Sequence, residues 1–257
     1  MDKITKIFKN NKALITYLTA GDSSTDKTEE QILAMAKNGA DLIEIGVPFS
    51  DPVADGKIIR DAMERALSKN IKLDDIFNMV KNVRKKSDIP LVFMTYLNLV
   101  LFYGYERFFK RCSEIGINGL IIPDMPLEEQ DEVKSFADEY NIIIITLIAP
   151  TSKERISVLA RQAKGFIYLI SSLGVTGARN KITTNLGAII SEIRKITDIP
   201  VAVGFGISTA EQACEIIKYA DGVIIGSAVV KIIAENKKNT VLKLHASFYF
   251  SNILSKF

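Results

Sequence analysis

Apolar and polar positions follow two alternating patterns along the chain. Eight short runs of mostly apolar, often β-branched residues recur, and the stretches between them carry apolar residues at helical spacing, such as Phe108, Phe109, Cys112 and Ile115. The runs are Ala13–Leu18, Asp41–Val47, Pro90–Tyr96, Gly119–Pro123, Ile142–Ile148, Phe166–Ser171, Pro200–Phe205 and Asp221–Ile225. Strands that alternate with helices indicate parallel pairing through βαβ units. Eight such units in 257 residues predict an α/β fold, a (β/α)8 or TIM barrel.

The spacing between the runs adds detail to this barrel. Ile4, Ile7 and Phe8 have helical spacing and predict a short N-terminal helix packed under the barrel. The longest gap lies between the second and third strands, where Ile58–Leu67 and Leu73–Arg84 predict two extra helices. Barrel enzymes elaborate their active sites in such enlarged strand-to-helix connections.

The chain shows no linker, low-complexity segment or change of composition, so residues 1–257 are interpreted as a single barrel domain. An open, doubly wound sheet is the structural alternative. Its usual signal is missing, because no Gly-x-Gly-x-x-Gly motif follows the first strand.

Composition and charge exclude several classes of function. The net charge is +3, from 33 basic and 30 acidic residues, and lysine runs such as residues 81–86 fit solvated helix faces better than a nucleic-acid interface. The two cysteines, Cys112 and Cys214, are far apart in sequence and fit free thiols in a reducing, cytoplasmic compartment. The single histidine, His245, lies near the C-terminus, which argues against a serine–histidine triad built from the core. Most transition-metal sites use several histidines, so they are excluded as well. We therefore expect no metal site, and no apolar run is long enough to cross a membrane.

The second strand contains a carboxylate in an unusual position. Side chains alternate along a strand, so Ile43, Ile45 and Val47 share the helix-facing side, and Glu44 shares the side that faces the barrel interior. Burying a carboxylate is costly unless it has a partner or a task. No basic residue lies in any of the eight runs, which argues against an internal salt bridge. The pattern favours Glu44 as a general acid/base.

A second carboxylate, Asp55, follows on the loop after this strand. Asp51-Pro52 and Asp55-Gly56 are turn signals, and taken alone they predict only turn chemistry. However, Asp55 lies eleven residues beyond Glu44 at the same barrel mouth. The two carboxylates are therefore candidates to converge on one substrate.

Glycine-bearing turns follow the last three strands. They contain Gly174 and Gly177, Gly204 and Gly206, and Gly226 with Ser227. Such turns let a ligand approach the backbone and direct free N–H groups at an anion, and barrels of this kind commonly bind phosphate after strands seven and eight. The alternative is that the glycines only serve tight turns. The positions favour a phosphorylated substrate.

Strand parity places a partly aromatic wall at the mouth, formed by Tyr17, Met94, Tyr96, Ile121, Tyr168 and Phe205. Core packing is the default interpretation for most of these residues. Tyr168 and Phe205 lie nearer the strand ends and are better candidates for contacting a flat ring. Asp124 is interpreted as the N-cap of the helix that begins near Pro126.

The motif from Leu42 to Gly56, LIEIGVPFSDPVADG, closely resembles the signature of tryptophan synthase α chains. Further segments match in order through nearly the whole chain: Thr19-Ala20-Gly21-Asp22, Met94-Thr95-Tyr96-Leu97-Asn98, Gly174-Val175-Thr176-Gly177, Gly204-Phe205-Gly206-Ile207-Ser208 and Gly226-Ser227-Ala228. The resemblance implies a lyase of tryptophan biosynthesis. The reaction is the reversible retro-aldol cleavage of indole-3-glycerol phosphate to indole and glyceraldehyde 3-phosphate.

The resemblance also implies roles for single residues. Glu44 matches the family's acid/base and Asp55 the carboxylate that accepts the positive charge developing at the indole N–H. Gly177, Gly206, Gly226 and Ser227 match phosphate-binding positions. Tyr17, Tyr168 and Phe205 are expected around the indole, and Thr176 matches the sixth-loop residue that closes over Asp55.

The family implies a partner, a pyridoxal phosphate-dependent β subunit in an α2β2 complex, and no cofactor in the α chain itself. Pro48, Asp51, Pro52 and Asn98 match loop positions that face this partner. The sequence departs from the commoner family pattern at Lys57, Arg60 and Leu99, where many members have proline, glutamine and proline.

Three alternatives remain open from the residues. The first is another phosphosugar enzyme on the same fold, such as an isomerase, a Schiff-base aldolase or indole-glycerol-phosphate synthase. A Schiff-base enzyme needs a lysine inside the barrel, and none of the strand runs supplies one. The second is a barrel that only binds and activates a partner. The third is a free-standing lyase that releases indole without a β subunit.

Overall fold

The computed structural model describes residues 2–9, 12–151, 155–171, 186–207 and 209–235. Its strands are β1 (Ala13–Thr19), β2 (Leu42–Gly46), β3 (Leu91–Met94), β4 (Gly119–Ile121), β5 (Ile143–Ile144), β6 (Thr146–Ile148), β7 (Ile167–Ile170), β8 (Val201–Gly204) and β9 (Gly222–Ile225). All neighbouring strands are parallel, in the order β5-β4-β3-β2-β1-β9-β8-β7-β6. This arrangement confirms the predicted (β/α)8 barrel.

Helices surround the strands. They are α1 (Lys3–Lys6), α2 (Thr25–Lys37), α3 (Lys57–Leu67), α4 (Leu73–Arg84), α5 (Leu97–Tyr103), α6 (Tyr105–Glu114), α7 (Asp131–Glu139), α8 (Ile156–Gln162), α9 (Leu186–Arg194), α10 (Ala210–Ile217) and α11 (Ser227–Glu235), with a short 3-10 helix at Leu127–Glu129. The extra helices α3 and α4 lie in the long connection after β2, as the sequence predicts.

The fifth predicted strand closes the barrel in two halves. β5 and β6 are separated only by Ile145, and β5 pairs with β4 whereas β6 pairs with β7. The two ends of the sheet are therefore joined by the chain itself through Ile145. Eight extended segments thus form a closed barrel, although the fifth is divided into two short strands.

The barrel has two apolar cores, one on each side of the sheet. Ile43, Ile45 and Val47 pack with the helices in the outer core. Leu42 packs in the interior core, together with the six predicted wall residues of the mouth. This division confirms the alternation predicted for β2. It arises because both faces of a barrel strand are covered and its side chains must divide between them.

The short helix α1 covers the N-terminal end of the barrel. Asp2 caps it by accepting a hydrogen bond from the Thr5 N–H at 2.7 Å. The Ile4 side chain is fully buried in the interior core and lies so close to Gly119 that a Cβ added there would be 2.9 Å from it. The predicted N-terminal helix is therefore confirmed as the bottom closure of the barrel.

Asp124 caps a helix, but not the one that the sequence suggested. Its carboxylate accepts a hydrogen bond from the Leu97 N–H at 3.0 Å, at the start of α5 in the preceding connection. The 3-10 helix that follows Asp124 has Pro126 at its N-cap. The prediction was wrong because cap patterns are local, whereas parallel strands bring successive mouth loops side by side. None of the described helices has the length and apolar character needed to span a membrane.

Candidate active site

A narrow pocket opens at the C-terminal ends of the strands. It is lined by Tyr17, Glu44, Asp55, Ile59, Met94, Tyr168, Phe205, Gly206, Ile207, Ile224, Gly226 and Ser227. Eight of the residues singled out as site candidates from the sequence line this one pocket: Glu44, Asp55, Tyr17, Tyr168, Phe205, Gly206, Gly226 and Ser227. No lysine is among these lining residues, which argues against Schiff-base chemistry in the described pocket.

Glu44 enters the pocket from the middle of β2. Its neighbours in the ladder are Tyr17 on β1 and Val92 on β3, so apolar and aromatic side chains surround it. The residue is 1% exposed, and its Oε1 has no hydrogen-bond partner among the described residues. Burial, with a smaller contribution from the nearby Asp55 charge, raises the pKa of Glu44 to about 8.

Asp55 comes from the loop between β2 and α3. A turn brings it back over the barrel, with the Asp55 N–H donating to the Pro52 carbonyl at 3.0 Å. The Tyr96 hydroxyl donates to Asp55 Oδ2 at 2.7 Å, whereas Oδ1 is buried without a partner among the described residues. Burial raises the pKa of Asp55 to about 6, and the Tyr96 hydrogen bond and the Arg60 charge oppose this rise.

The two carboxylates therefore differ in protonation at neutral pH. With a pKa of about 8, Glu44 holds its proton, and with a pKa of about 6, Asp55 is mostly ionised. The Asp55 charge disfavours ionisation of Glu44, which is the arrangement that separates an acid from a charge stabiliser in enzyme sites. The pair can donate a proton from one side chain and stabilise a cation with the other.

Two tyrosines occupy space that glycines leave free. A Cβ added at Gly46 would lie 2.0 Å from the Tyr17 hydroxyl, and one added at Gly204 would lie 2.4 Å from the Tyr168 hydroxyl. The Tyr17 hydroxyl also lies 3.3 Å from Thr19 Oγ1. The absence of a side chain at these two strand ends is thus what lets both aromatic rings reach across the mouth. Both rings are at least 96% buried, and burial raises the pKa of both hydroxyls well above the ordinary value.

The glycine turns after β8 and β9 form the remaining side of the pocket. Phe205 and Gly206 adopt φ angles of 68° and 75° in succession, and the Ser171 hydroxyl donates to the Phe205 carbonyl. A positive φ is rare for phenylalanine and is retained mainly where the surroundings enforce it, often at functional sites. Next to this turn, α11 begins at Ser227 in the pocket lining, so its first N–H groups face the same end of the site.

Two of the predicted site residues, Thr176 and Gly177, lie outside the described residues. Tyr96 was assigned from strand parity only to the apolar wall, and its hydrogen bond to Asp55 adds a polar contact that the sequence did not predict. A sequence signal for that contact is weak, because a loop must fold back over the barrel before the two side chains meet.

The three departures from the family pattern lie in the helices α3 and α5. Lys57 is the first residue of α3, where proline is tolerated as well, and its ammonium pairs with Asp61 at 2.8 Å. Leu99 lies within the formed helix α5. Arg60 is exposed and lowers the pKa of Asp55. In the described part of the chain, no group of three or more histidine, cysteine, aspartate or glutamate side chains is arranged to hold a metal ion.

Comparison with known proteins gives one consistent result. A family model described as tryptophan synthase alpha chain matches residues 5–253. The chain belongs to the tryptophan synthase alpha chain family. The α chain of Lactiplantibacillus plantarum is 49% identical over 243 residues, covering 94% of this chain and 92% of that relative. The α chain of Lacticaseibacillus casei is 47% identical over 238 residues, covering 93% and 90%.

Solved structures agree with the sequence relatives. Tryptophan synthase of Mycobacterium tuberculosis superimposes with a TM-score of 0.89 at 33% identity, covering 99% of this chain and 98% of that one. The α chain of Legionella pneumophila superimposes with a TM-score of 0.88 at 34% identity, covering 100% and 97%. The family membership makes this chain an enzyme of tryptophan biosynthesis, and the family implies a β-subunit partner.

Proposed function

We propose that this chain cleaves indole-3-glycerol phosphate to indole and glyceraldehyde 3-phosphate, the α reaction of tryptophan synthase, with Glu44 and Asp55 as its catalytic residues. The observation that carries the proposal is the pair of buried carboxylates in one pocket. Burial raises the pKa of Glu44 further than that of Asp55, so the two side chains suit different roles at neutral pH. Cleaving the bond between C3 of the ring and the glycerol chain needs a proton at C3, stabilisation of the ring cation and removal of a hydroxyl proton.

Glu44 supplies the proton and takes one back. As the neutral acid it protonates C3 of the indole ring and becomes a carboxylate. The carbon–carbon bond then breaks, its electron pair returns to the ring, and the adjacent hydroxyl loses its proton to Glu44 as the carbonyl forms. One proton leaves Glu44 and one returns, so the enzyme is ready for another turnover without a cofactor.

Asp55 stabilises the cation formed between these two steps. Protonation at C3 places positive charge on the ring nitrogen, and the ionised Asp55 faces the same pocket with Oδ1 free of any hydrogen bond to the described residues. An ion pair formed away from water is stronger than one in bulk solvent. The interaction is strongest when the ring carries its charge, so it lowers the barrier rather than only improving substrate binding.

The rest of the pocket is proposed to bind the two ends of this substrate. Tyr17, Tyr168 and Phe205 form the aromatic surface for the indole, and Thr176 on the sixth loop is proposed to close over it. The phosphate is proposed to bind Gly206, Gly226, Ser227 and Gly177. Support comes from the turn at Phe205–Gly206 and the N-terminus of α11, since backbone N–H groups at a helix start attract anions.

The direct test is indole release from indole-3-glycerol phosphate by the purified chain. We expect release by the unmodified chain and a loss of at least roughly 100-fold in the Glu44→Gln variant, the low end for removal of an acid/base. The matched control is Glu64→Gln, an exposed glutamate on α3, which should leave the rate unchanged. A near-normal rate for Glu44→Gln would contradict the assignment. Borohydride trapping of a covalent adduct would favour a Schiff-base enzyme instead.

The proposed partner is the pyridoxal phosphate-dependent β subunit, in an α2β2 complex in the cytoplasm. Val53, Leu101 and Phe102 expose 75%, 57% and 92% of their surface, although all three are large and apolar. They neighbour the loop positions matched to the partner-facing residues Pro48, Asp51, Pro52 and Asn98. Phe49 and Tyr96 stack at 5.0 Å and hold the two segments together, so the exposed side chains lie at one end of the molecule.

Stimulation of indole release by an added β subunit tests this surface. We expect Phe102→Ser to keep the activity of the isolated chain and to weaken stimulation. The control is Tyr219→Ser, which changes an aromatic side chain that is 50% exposed on a different part of the barrel. Equal stimulation of the Phe102→Ser variant and the unmodified chain would contradict the proposal that this surface contacts the β subunit. Activity that never depends on the β subunit would favour a free-standing lyase.

A further inference from the structure

Tyr96 connects the loop of Asp55 to the helix that follows β3. It occupies the N-cap position of α5 and is fully buried. Its hydroxyl donates to Asp55 Oδ2 at 2.7 Å and accepts a hydrogen bond from the Ala54 N–H at 3.2 Å. Its ring stacks on Phe49, with 5.0 Å between centroids and 27° between planes. One side chain therefore contacts three positions of the loop between β2 and α3.

We propose that Tyr96 is the positioning residue for Asp55: its hydroxyl holds one carboxylate oxygen and leaves the other oriented for the substrate. This inference rests on the function proposed above. The two oxygens of Asp55 have different surroundings, because Oδ2 accepts from Tyr96 whereas Oδ1 is buried without a partner in the described part of the chain. A carboxylate held at one oxygen keeps a lone pair of the other for the ring N–H.

The loop itself offers little else to fix the carboxylate. Asp55 precedes the first turn of α3, and among the described residues its backbone makes one hydrogen bond, from its N–H to the Pro52 carbonyl. A carboxylate on such a loop has several rotamers unless a buried partner selects one. Tyr96 is itself rigid, since its ring is stacked and it starts a helix whose first N–H is capped by Asp124.

In the described part of the chain, the other groups that face Asp55 act on its charge but do not hold it. Glu44 on β2, Tyr17 on β1 and Tyr168 on β7 interact with it electrostatically, and Arg60 on α3 does so from an exposed position. The hydrogen bond from Tyr96 favours the ionised form and lowers the pKa of Asp55 against the effect of burial. Removing the hydroxyl should therefore misplace Asp55 and also reduce its ionised fraction at neutral pH.

The test is Tyr96→Phe, which keeps the ring and removes only the hydroxyl. We expect kcat to fall by roughly 10- to 100-fold at pH 7, the scale of a misplaced catalytic group, with KM changed less than kcat. The fall of kcat at acidic pH should begin at a higher pH than in the unmodified chain. The matched control is Tyr103→Phe on the same helix, whose hydroxyl donates to Asp74 at 2.9 Å outside the pocket. It should change neither quantity.

A direct titration separates this inference from the proposed function. Carbon-13 NMR of labelled aspartate, with the Asp55 signal assigned by its loss in Asp55→Asn, reports the pKa of Asp55 without any turnover. We expect that pKa to rise from about 6 in Tyr96→Phe. Replacing Tyr96 by 3-fluorotyrosine, which has nearly the same shape and is a stronger donor, should lower it.

Each outcome decides one of the two claims. An unchanged Asp55 titration in both Tyr96 variants overturns the positioning role, whatever the activity. A failure of the unmodified chain to release indole overturns the proposed function. The titration then still shows whether the Tyr96 hydroxyl holds Asp55. If Tyr96→Phe fails to fold, the 3-fluorotyrosine protein supplies the same test, with the shift in the opposite direction.

Discussion

Replacing Glu44 by glutamine should change how the stability of the protein depends on pH. The pKa of Glu44 is about 8 in the folded protein against an ordinary value of 4.5. Because the folded state binds this proton more tightly, the associated stability is fully present below about pH 4.5 and is lost as the pH rises through about 8. The glutamine variant has no such proton and should not lose it.

The size of the effect follows from linkage. Each pH unit between the two pKa values lowers the free energy of unfolding by up to about 1.4 kcal/mol. Between pH 5.5 and pH 7.5 the unmodified protein should lose about 2.5 kcal/mol relative to Glu44→Gln, after allowing for partial titration near pH 8. Asp55 also titrates in this range, but it is present in both proteins, so its contribution largely cancels in the difference.

Urea unfolding followed by circular dichroism measures this difference. The free energy of unfolding of both proteins is obtained at pH 5.5, 6.5, 7.5 and 8.5 by linear extrapolation. The control is Glu64→Gln, whose exposed side chain should give a difference that is independent of pH. The reasoning is refuted if the difference between Glu44→Gln and the unmodified protein is also constant across the series, because Glu44 would then titrate normally in the folded state.

Three further predictions concern packing, charge and the partner surface. Gly46→Ala places a Cβ against the Tyr17 hydroxyl and should lower the free energy of unfolding by about 1–3 kcal/mol, the range for overpacking. The loss should be much smaller in a Tyr17→Leu background, and equal losses in the two backgrounds would argue against a clash with Tyr17. Arg65→Met should lower the free energy of unfolding by about 1.5–3 kcal/mol, because it leaves the buried Asp22 carboxylate without its guanidinium partner at 2.6 Å. A loss below roughly 0.5 kcal/mol in urea unfolding, the level of a surface ion pair, would show that solvent replaces the guanidinium. Phe102→Ser should change the free energy of unfolding of the isolated chain by no more than about 0.5 kcal/mol in urea, since the Phe102 side chain is 92% exposed. A larger loss would mean that the Phe102 side chain packs within the barrel.

The fold and the placement of Glu44 were predictable from the sequence for the same physical reason. A buried barrel strand must divide its side chains between two faces, so the alternation Leu42, Ile43, Glu44 by itself places the carboxylate inside the barrel. The observed cores confirm that division. The split of the fifth strand at Ile145 was not predictable, because a run of consecutive isoleucines carries no signal for where pairing changes from one neighbour to the other.

The details of the site depend on contacts that sequence patterns do not encode. The sequence around Asp55 predicts only a turn, and the folded loop is what brings Asp55 to Tyr96. Phe205 has a positive φ between two glycines, where the sequence would assign the unusual conformation to a glycine. Asp124 caps the helix of a neighbouring connection rather than its own. For Asp55 and Asp124 the deciding contact joins residues from different mouth loops.

The pH dependence of kcat/KM for indole-3-glycerol phosphate cleavage tests most directly whether two differently protonated carboxylates carry the reaction. Activity should require protonated Glu44 and ionised Asp55, so it should fall below about pH 6 and above about pH 8, with a maximum near pH 7. The Asp55→Asn variant should lose the fall at acidic pH along with most of its rate. An unmodified enzyme whose kcat/KM keeps rising from pH 7 to pH 9 would contradict the assignment of Glu44 as the acid.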